Sequence, residues 1–199
     1  VAGAEARQLG QDAAELADLL SVMLELARLD AAETPLALAP TPLLDVAEEV
    51  AASLGPLAQE NGLELHARGS TVFAQANLAR LRQVVRALTD NALKYATTKV
   101  SLVVDEQAGR GRITISDDGP GIPAEHLPKL SERFYRVDAA RSRARAPGEG
   151  AKAQPQQRSG AGLGLAIAHE LVSRMGGELS LTSELGRGTT VAVLLPLAG

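Results

Sequence analysis

The run Arg112-Ile113-Thr114-Ile115-Ser116-Asp117-Asp118-Gly119-Pro120-Gly121-Ile122 decides how this chain is read. Its first five residues read as a strand, and the acidic pair at the strand's end is followed at once by glycines. A carboxylate in that position is free to hydrogen-bond a ligand, while the glycines let the backbone approach a flat group closely. Taken alone, Asp-x-Gly-x-Gly equally describes an ordinary glycine turn, so the surroundings must decide between them.

Upstream, a companion strand is expected near Lys99–Asp105, with a turn around Gly109–Gly111 between the two. Before it, Asn77 is placed to cap a helix running to about Ala96. Leu63 and Leu65 alternate with Glu64 and His66, which is strand periodicity, and Thr71 to Ala74 reads as a second short strand. Leu43 to Glu60 carries an amphipathic helical stripe of Leu43, Val46, Val50, Leu54 and Leu57, stopped by Gly62. Pro35, Pro40 and Pro42 break the chain ahead of it. Residues 1–33 read as one long helix whose Leu9, Ala13, Leu16, Leu20, Met23 and Ala27 form a coiled-coil or bundle seam. That seam is open to two readings, a helix docked on its own domain or half of a dimerising hairpin, and its narrow spacing favours the second.

Downstream of the opening run, Asp117 to Gly162 is loop-rich. A helix from about Leu163 to Met175 ends at Gly176 and Gly177, and strands near Glu178–Ser183 and Thr189–Pro196 close the chain through Gly186 and Gly188. Strands and helices mix without strict alternation. The expected fold class is therefore α+β, a two-layer α/β sandwich rather than a doubly wound sheet, at residues 34–199.

The 199 residues are 45 % hydrophobic and 22 % charged, ordinary globular values, with aromatics at only 2 %. A formal charge of −4 offers no general reason to expect nucleic-acid binding. Without cysteine, disulfides and thiolate metal sites are excluded. No apolar run approaches the roughly 20 residues needed to cross a bilayer. The chain opens on Val1 without a signal-peptide layout, so it is expected to be a soluble fragment of a longer protein.

Two further motifs share the chain with Asp117. Gly160-Ala161-Gly162-Leu163-Gly164-Leu165 opens a helix, where unpaired N–H groups and the helix dipole attract an anion. It is spelled like a dinucleotide fingerprint, but the polar stretch Arg141–Ser159 precedes it where a Rossmann unit needs a strand. Asp90-Asn91-Ala92-Leu93-Lys94-Tyr95 lies on the helix capped by Asn77, with Asn91 and Lys94 three apart on one face. An amide oxygen can complete a Mg²⁺ shell shared with phosphate oxygens, and a lysine adds a point charge. Each motif also has a plainer reading, a glycine turn or a polar helix end in solvent.

In this order and spacing the motifs resemble the sensor histidine kinase branch of the family that includes DNA gyrase, Hsp90 and MutL. Asn91 to Tyr95 is similar to its N box, and Asp117 to Gly121 to its first glycine box. Glu132-Arg133-Phe134-Tyr135-Arg136 is similar to its F box, and Gly160 to Gly164 to its second glycine box. Gly186-Arg187-Gly188-Thr189 follows as it often does there, and Leu26 to Asp30 resembles the end of the second dimerisation helix.

The resemblance implies a Bergerat ATP-binding fold at 34–199, a mixed sheet with about three helices on one face, and a partial dimerisation hairpin at 1–33. It implies that Asp117 accepts a hydrogen bond from adenine, with Gly119, Gly121 and Ile122 beside the base. Asn91 would bind Mg²⁺ bridging the phosphates, Lys94 would contact phosphate, and Tyr95 would lie along adenine or ribose. Gly160, Gly162, Leu163 and Gly164 would present backbone to the phosphates, with Phe134, Arg136 and Thr189 completing the site. Residues 136–159, poor in apolar side chains and net basic, would form the ATP lid. Implied partners are a dimerisation helix bearing the phosphoacceptor histidine, a homodimeric parent protein and a response-regulator receiver domain. The implied location is the cytoplasmic side of a membrane-anchored sensor.

Two positions depart from the pattern: Ala87 stands where the family usually has a second asparagine, and Ser131 where the F box opens with Phe. Both leave room for a degenerate module that senses nucleotide without transferring phosphate. A third reading is an ATPase switch of the chaperone or MutL type, which the F box and dimerisation-helix ending disfavour. Of three histidines, His66 is expected on a strand's polar face and His126 in a loop. His169-Glu170-Leu171 begins like a phosphoacceptor box but continues Val172-Ser173-Arg174, without its basic residue or proline. The acceptor is therefore expected upstream of Val1, so that this chain binds ATP but does not phosphorylate itself.

Overall fold

The computed structural model describes residues 36–130 and 164–199. The expected N-terminal helix at 1–33, the F box and the lid at 136–159 lie outside the described residues.

Period-two alternation builds the sheet. β4 (Lys99–Gln107) turns Val100, Leu102 and Val104 to one face; β5 (Arg110–Asp117) adds Ile113 and Ile115 to it, all of them buried. Val191, Val193 and Leu195 of β7 (Gly188–Pro196) continue the layer, and Leu179 and Leu181 of β6 (Glu178–Glu184) extend it at the edge. β2 (Glu64–Gly69) contributes Leu65 and Ala67 from the other edge. The strand order is β2-β4-β5-β7-β6, with β2 and β4 parallel and every other pair antiparallel. Three helices cover this aliphatic face: α1 (Leu43–Glu60), α2 (Leu78–Tyr95) and α3 (Gly164–Arg174). Each buries a stripe spaced by three and four, Leu81, Val84, Val85, Leu88, Ala92 and Leu93 on α2 for example. Burial of each such aliphatic side chain contributes about 1.5–3 kcal/mol. One core results among the described residues, with Leu, Val, Ile, Ala and Met175 filling the place aromatics often take.

The helix limits match the sequence expectation closely, and a side-chain cap marks the start of α2. Asn77 Oδ1 accepts a hydrogen bond from the Arg80 N–H at 3.1 Å, which fixes the start of α2. The strands differ more. A short β1 (Ala39–Pro42) runs through the prolines that were expected to break the chain. It pairs antiparallel with β3 (Phe73–Ala76) alone, as a separate two-stranded sheet. With one neighbour only, half of its N–H groups need no partner, so proline is tolerated. Thr41, buried between the two prolines, ties the pair by donating to the Ala76 carbonyl at 3.1 Å. β3 starts two residues later than expected, after Ser70 has bonded the Val104 carbonyl and Leu43 the Val72 carbonyl. Gly111 sits inside β5, and the β4–β5 turn is made by Ala108 and Gly109. His66 faces outward from β2 as expected, whereas His126 lies in a 3₁₀ turn, Ala124–Lys129, rather than an irregular loop. No described helix is long and apolar enough to cross a membrane.

Candidate functional site

Three strands change character at the same end of the sheet. On the helix-covered face β5 runs Ile113, Ile115, Asp117; β7 runs Val193, Val191, Thr189; β6 runs Leu179, Leu181, Ser183. Register pairs Asp117 with Thr189 and Thr189 with Ser183, so three polar side chains lie abreast where the aliphatic layer stops. All three are half-buried, screened by the fold yet reachable.

Asp117 carries the strongest electrostatic feature of this row. Burial raises its pKa above the ordinary 3.8, opposed by hydrogen bonds from the Gly119 and Thr189 backbones; the Asp118 charge adds to the rise. The Gly119 N–H donates to Oδ1 at 2.8 Å, which aims the carboxylate and leaves lone pairs for another donor. A half-buried acid with spare acceptor capacity can select a flat ligand presenting an N–H.

The neighbouring Asp118 does a different job. Its Oδ1 accepts from the Thr97, Thr98 and Lys99 N–H groups at 2.9, 3.0 and 3.1 Å, and Oδ2 also accepts from the Thr98 hydroxyl. Burial alone would raise its pKa, but the Thr98 hydroxyl and the Thr98, Lys99 and Thr97 N–H groups together outweigh it and hold the pKa well below the ordinary range. Asp118 thereby fastens the segment leaving α2 to the end of β5. Gly119 packs against the same segment so closely that a Cβ would overlap the Tyr95 carbonyl oxygen.

That fastening sets the last turns of α2 beside Asp117. Asn91 is exposed there, and Lys94 is half-buried with its Nζ 5.4 Å from the centroid of the Tyr95 ring. A lysine in the last turn also complements the helix dipole. Ala87, one turn before Asn91, offers no side-chain donor or acceptor. Asp90, beside Asn91, is raised above its ordinary pKa by burial, partly offset by Arg86.

The other wall of the loop is the β6–β7 turn. Gly121 has φ +69, and a Cβ there would overlap the Glu184 carbonyl; Gly188 has φ +99, and a Cβ there would overlap the Asp117 carbonyl. Both positions therefore require glycine for contact between backbones of this chain itself. Ile122 is half-buried, its N–H bonded to Ser183 Oγ at 2.8 Å. The Gly186 N–H reaches the Pro120 carbonyl at 2.9 Å.

Of the sequence-selected residues, the structure thus gathers Asn91, Lys94, Tyr95, Asp117, Gly119, Gly121, Ile122 and Thr189 around one end of the sheet. Gly164 opens α3, which packs against α2. Phe134, Arg136, Gly160, Gly162 and Leu163 lie outside the described residues. Sequence reasoning passed over Asp118 as a tether and over Ser183. The parity of Leu179, Leu181 and Ser183 carried the signal, but it has meaning only once β6 is known to lie beside β7.

Residues 76–199 match the family model described as histidine kinase-, DNA gyrase B-, and HSP90-like ATPase. The sensor histidine kinase YkoH of Bacillus subtilis is 32% identical over 123 residues, 62% of this chain and 24% of YkoH. The sensor protein SrrB of Staphylococcus aureus is 32% identical over 122 residues, 60% of this chain and 19% of SrrB. This chain therefore spans about a quarter or less of these relatives. Among solved structures, full-length ShkA in complex with AMPPNP aligns with a TM-score of 0.75 and 30% identity, over 96% of this chain and 37% of that one. The histidine kinase AdeS of Acinetobacter baumannii shares the fold at a TM-score of 0.72 and 18% identity, over 97% of this chain and 84% of its own.

Proposed function

The chain belongs to the histidine kinase-, DNA gyrase B-, and HSP90-like ATPase family, and from that premise we propose that it is the ATP-binding catalytic part of a sensor histidine kinase. The observation that carries the reading is Asp117, a half-buried carboxylate aimed by the Gly119 N–H and set beside the helix end that bears Asn91 and Lys94. Asp117 accepts a hydrogen bond from the adenine amino group. Gly119, Gly121 and Ile122 bring backbone alongside the base, and Tyr95 flanks it. Thr189 supplies an N–H that holds the Asp117 carboxylate in place. Lys94 meets the phosphates, leaving the Tyr95 ring when a better-hydrated anion is offered. Gly164, at the start of α3, is the described end of the glycine run that faces the phosphates.

Asn91 is the candidate magnesium ligand. The donor set fits an ion shared with nucleotide rather than one caged by protein: no cluster of three His, Cys, Asp or Glu exists among the described residues. Bound with the nucleotide, Mg²⁺ supplies neutralisation of phosphate charge. The chain's own residues supply orientation, which is most of what phosphoryl transfer asks of a protein. In that transfer a histidine nitrogen forms a bond to the γ-phosphorus, the bridging P–O bond to ADP breaks, and ADP leaves. The histidine lies on a dimerisation helix of the parent protein, which passes the phosphoryl group to a response-regulator aspartate.

The test offers labelled ATP to the chain alone and together with a histidine-bearing dimerisation helix. Label on the helix alone supports the reading. Label on the isolated chain would overturn the external acceptor, and steady ADP release without any phosphoprotein would replace the kinase with an ATPase switch.

A further inference from the structure

We propose that Ser183 is a positioning residue for nucleotide binding, its single hydroxyl setting the shape of the loop that carries Asp117. Ser183 Oγ donates to the Gly188 carbonyl at 2.7 Å and accepts from the Ile122 N–H at 2.8 Å. The Thr189 hydroxyl lies 3.0 Å away. A serine hydroxyl has one hydrogen and two lone pairs. With its hydrogen on Gly188, the remaining lone pair takes the Thr189 hydroxyl hydrogen, and the group is saturated. It has no capacity left for a ligand, so it acts through its three partners.

Those partners are the two walls of the candidate site. Ile122 ends the stretch that begins at Asp117. Gly188 is packed against the Asp117 carbonyl so tightly that no side chain fits, and Thr189 is Asp117's register partner on β7 and bonds its carboxylate. Among the described residues, the Ser183 hydroxyl ties the Gly119–Ile122 loop to β6, and the Gly186-to-Pro120 bond ties it to the β6–β7 turn. Removing the hydroxyl leaves the Ile122 N–H and Gly188 carbonyl short of a partner in a half-buried place. The loop then relaxes toward water and Asp117 loses its aim. Ser183 belongs to none of the motifs that picked out the other site residues, and its neighbour Thr182 points to the opposite face of the sheet.

This inference rests on the nucleotide reading, and the experiment separates the two. Affinity for AMPPNP is measured by calorimetry on the full chain and on Ser183→Ala, Ser183→Thr and Thr182→Ala, well below each thermal midpoint. Ser183→Ala is expected to weaken binding about tenfold, the usual consequence of leaving buried polar groups unpaired. Ser183→Thr, which keeps the hydroxyl, is expected to restore binding to within about twofold, and Thr182→Ala to leave it unchanged. Binding by the unaltered chain with an equal affinity in Ser183→Ala overturns the inference alone, even if the midpoint falls. Equal losses in the alanine and threonine variants overturn it too. No AMPPNP binding by the unaltered chain overturns the nucleotide reading and this inference with it.

Discussion

The middle of the inner sheet face and its end at Asp117 belong to the same strands, share one register and differ in a single step of two residues. At Ile113, Ile115, Val191 and Val193 the strands are sealed under the helices and exist to exclude water. At Asp117, Thr189 and Ser183 the same alternation delivers polar atoms, and every one of them is placed by hydrogen bonds rather than by packing. The lesson is a division of labour along one strand. Aliphatic contact supplies stability and fixes register; the register then carries a polar row to a place it would not occupy on its own merits. An acid with a raised pKa is a cost the aliphatic middle has to offset.

The comparison breaks most sharply at Ile115→Ala. It empties a fully enclosed site two residues from Asp117 and is expected to lower stability by about 2–5 kcal/mol. Chemical denaturation measures that loss, and a change below about 1 kcal/mol would show that the middle does not carry the fold. Asp117→Asn should do the reverse. AMPPNP affinity is expected to drop about 10- to 100-fold, as for loss of a hydrogen bond to a charged group. Its stability at neutral pH should stay level or rise, and the sign follows from the raised pKa. Ionising a group whose folded pKa exceeds its unfolded value costs stability, fully so above the folded value, and the amide removes that cost. A destabilised Asp117→Asn chain would contradict this account.

Asp118 sharpens the contrast between two adjacent acids. Asp118→Ala removes a cap on three backbone N–H groups and is expected to cost about 0.5–2 kcal/mol, the range for lost helix caps. Because its folded pKa is depressed below 3.8, its contribution is present above that value and lost as pH falls through the folded pKa. Acid titration of stability should therefore lose part of its low-pH slope in the variant. The smallest effect is expected on the open face, where Arg112 meets Asp105 at 2.5 Å. Arg112→Ala should cost only about 0.2–1 kcal/mol, less in high salt, because exposed ion pairs are screened. The Arg112 hydrogen bond lowers the Asp105 pKa, so this small term too is fully present above the ordinary carboxylate pKa and is lost as pH falls through the folded value.

Helices were the most legible part of the fold, since caps and stripes are local: Asn77 for the start of α2, and the Leu43-to-Leu57 stripe for α1. Strands were legible as alternation and illegible as neighbours. Nothing local in Ala39–Pro42 reveals that β3 will take it as a partner, and prolines argue against a strand until one edge is known to be free. The candidate site divides the same way. Asp117 and its glycines are spelled consecutively, and Asn91 and Lys94 share a helix face by spacing alone. Gly121 was read as room for a ligand and Gly188 as part of the connection between the last two strands, whereas the structure shows each pressed against another segment of this chain.

The sequence by itself determined the mixed α+β layering, the helix limits and the identity of the acid at the end of β5, because each depends on residues within a few positions of one another. Tertiary structure alone decided the strand order β2-β4-β5-β7-β6, and with it that Ser183 lies two strands from Asp117. It also decided that Asp118 faces the Thr97–Lys99 backbone while Asp117 faces the site. The reason is physical: spacing along a chain sets which side of an element a residue occupies, but only register between distant elements sets what stands next to it.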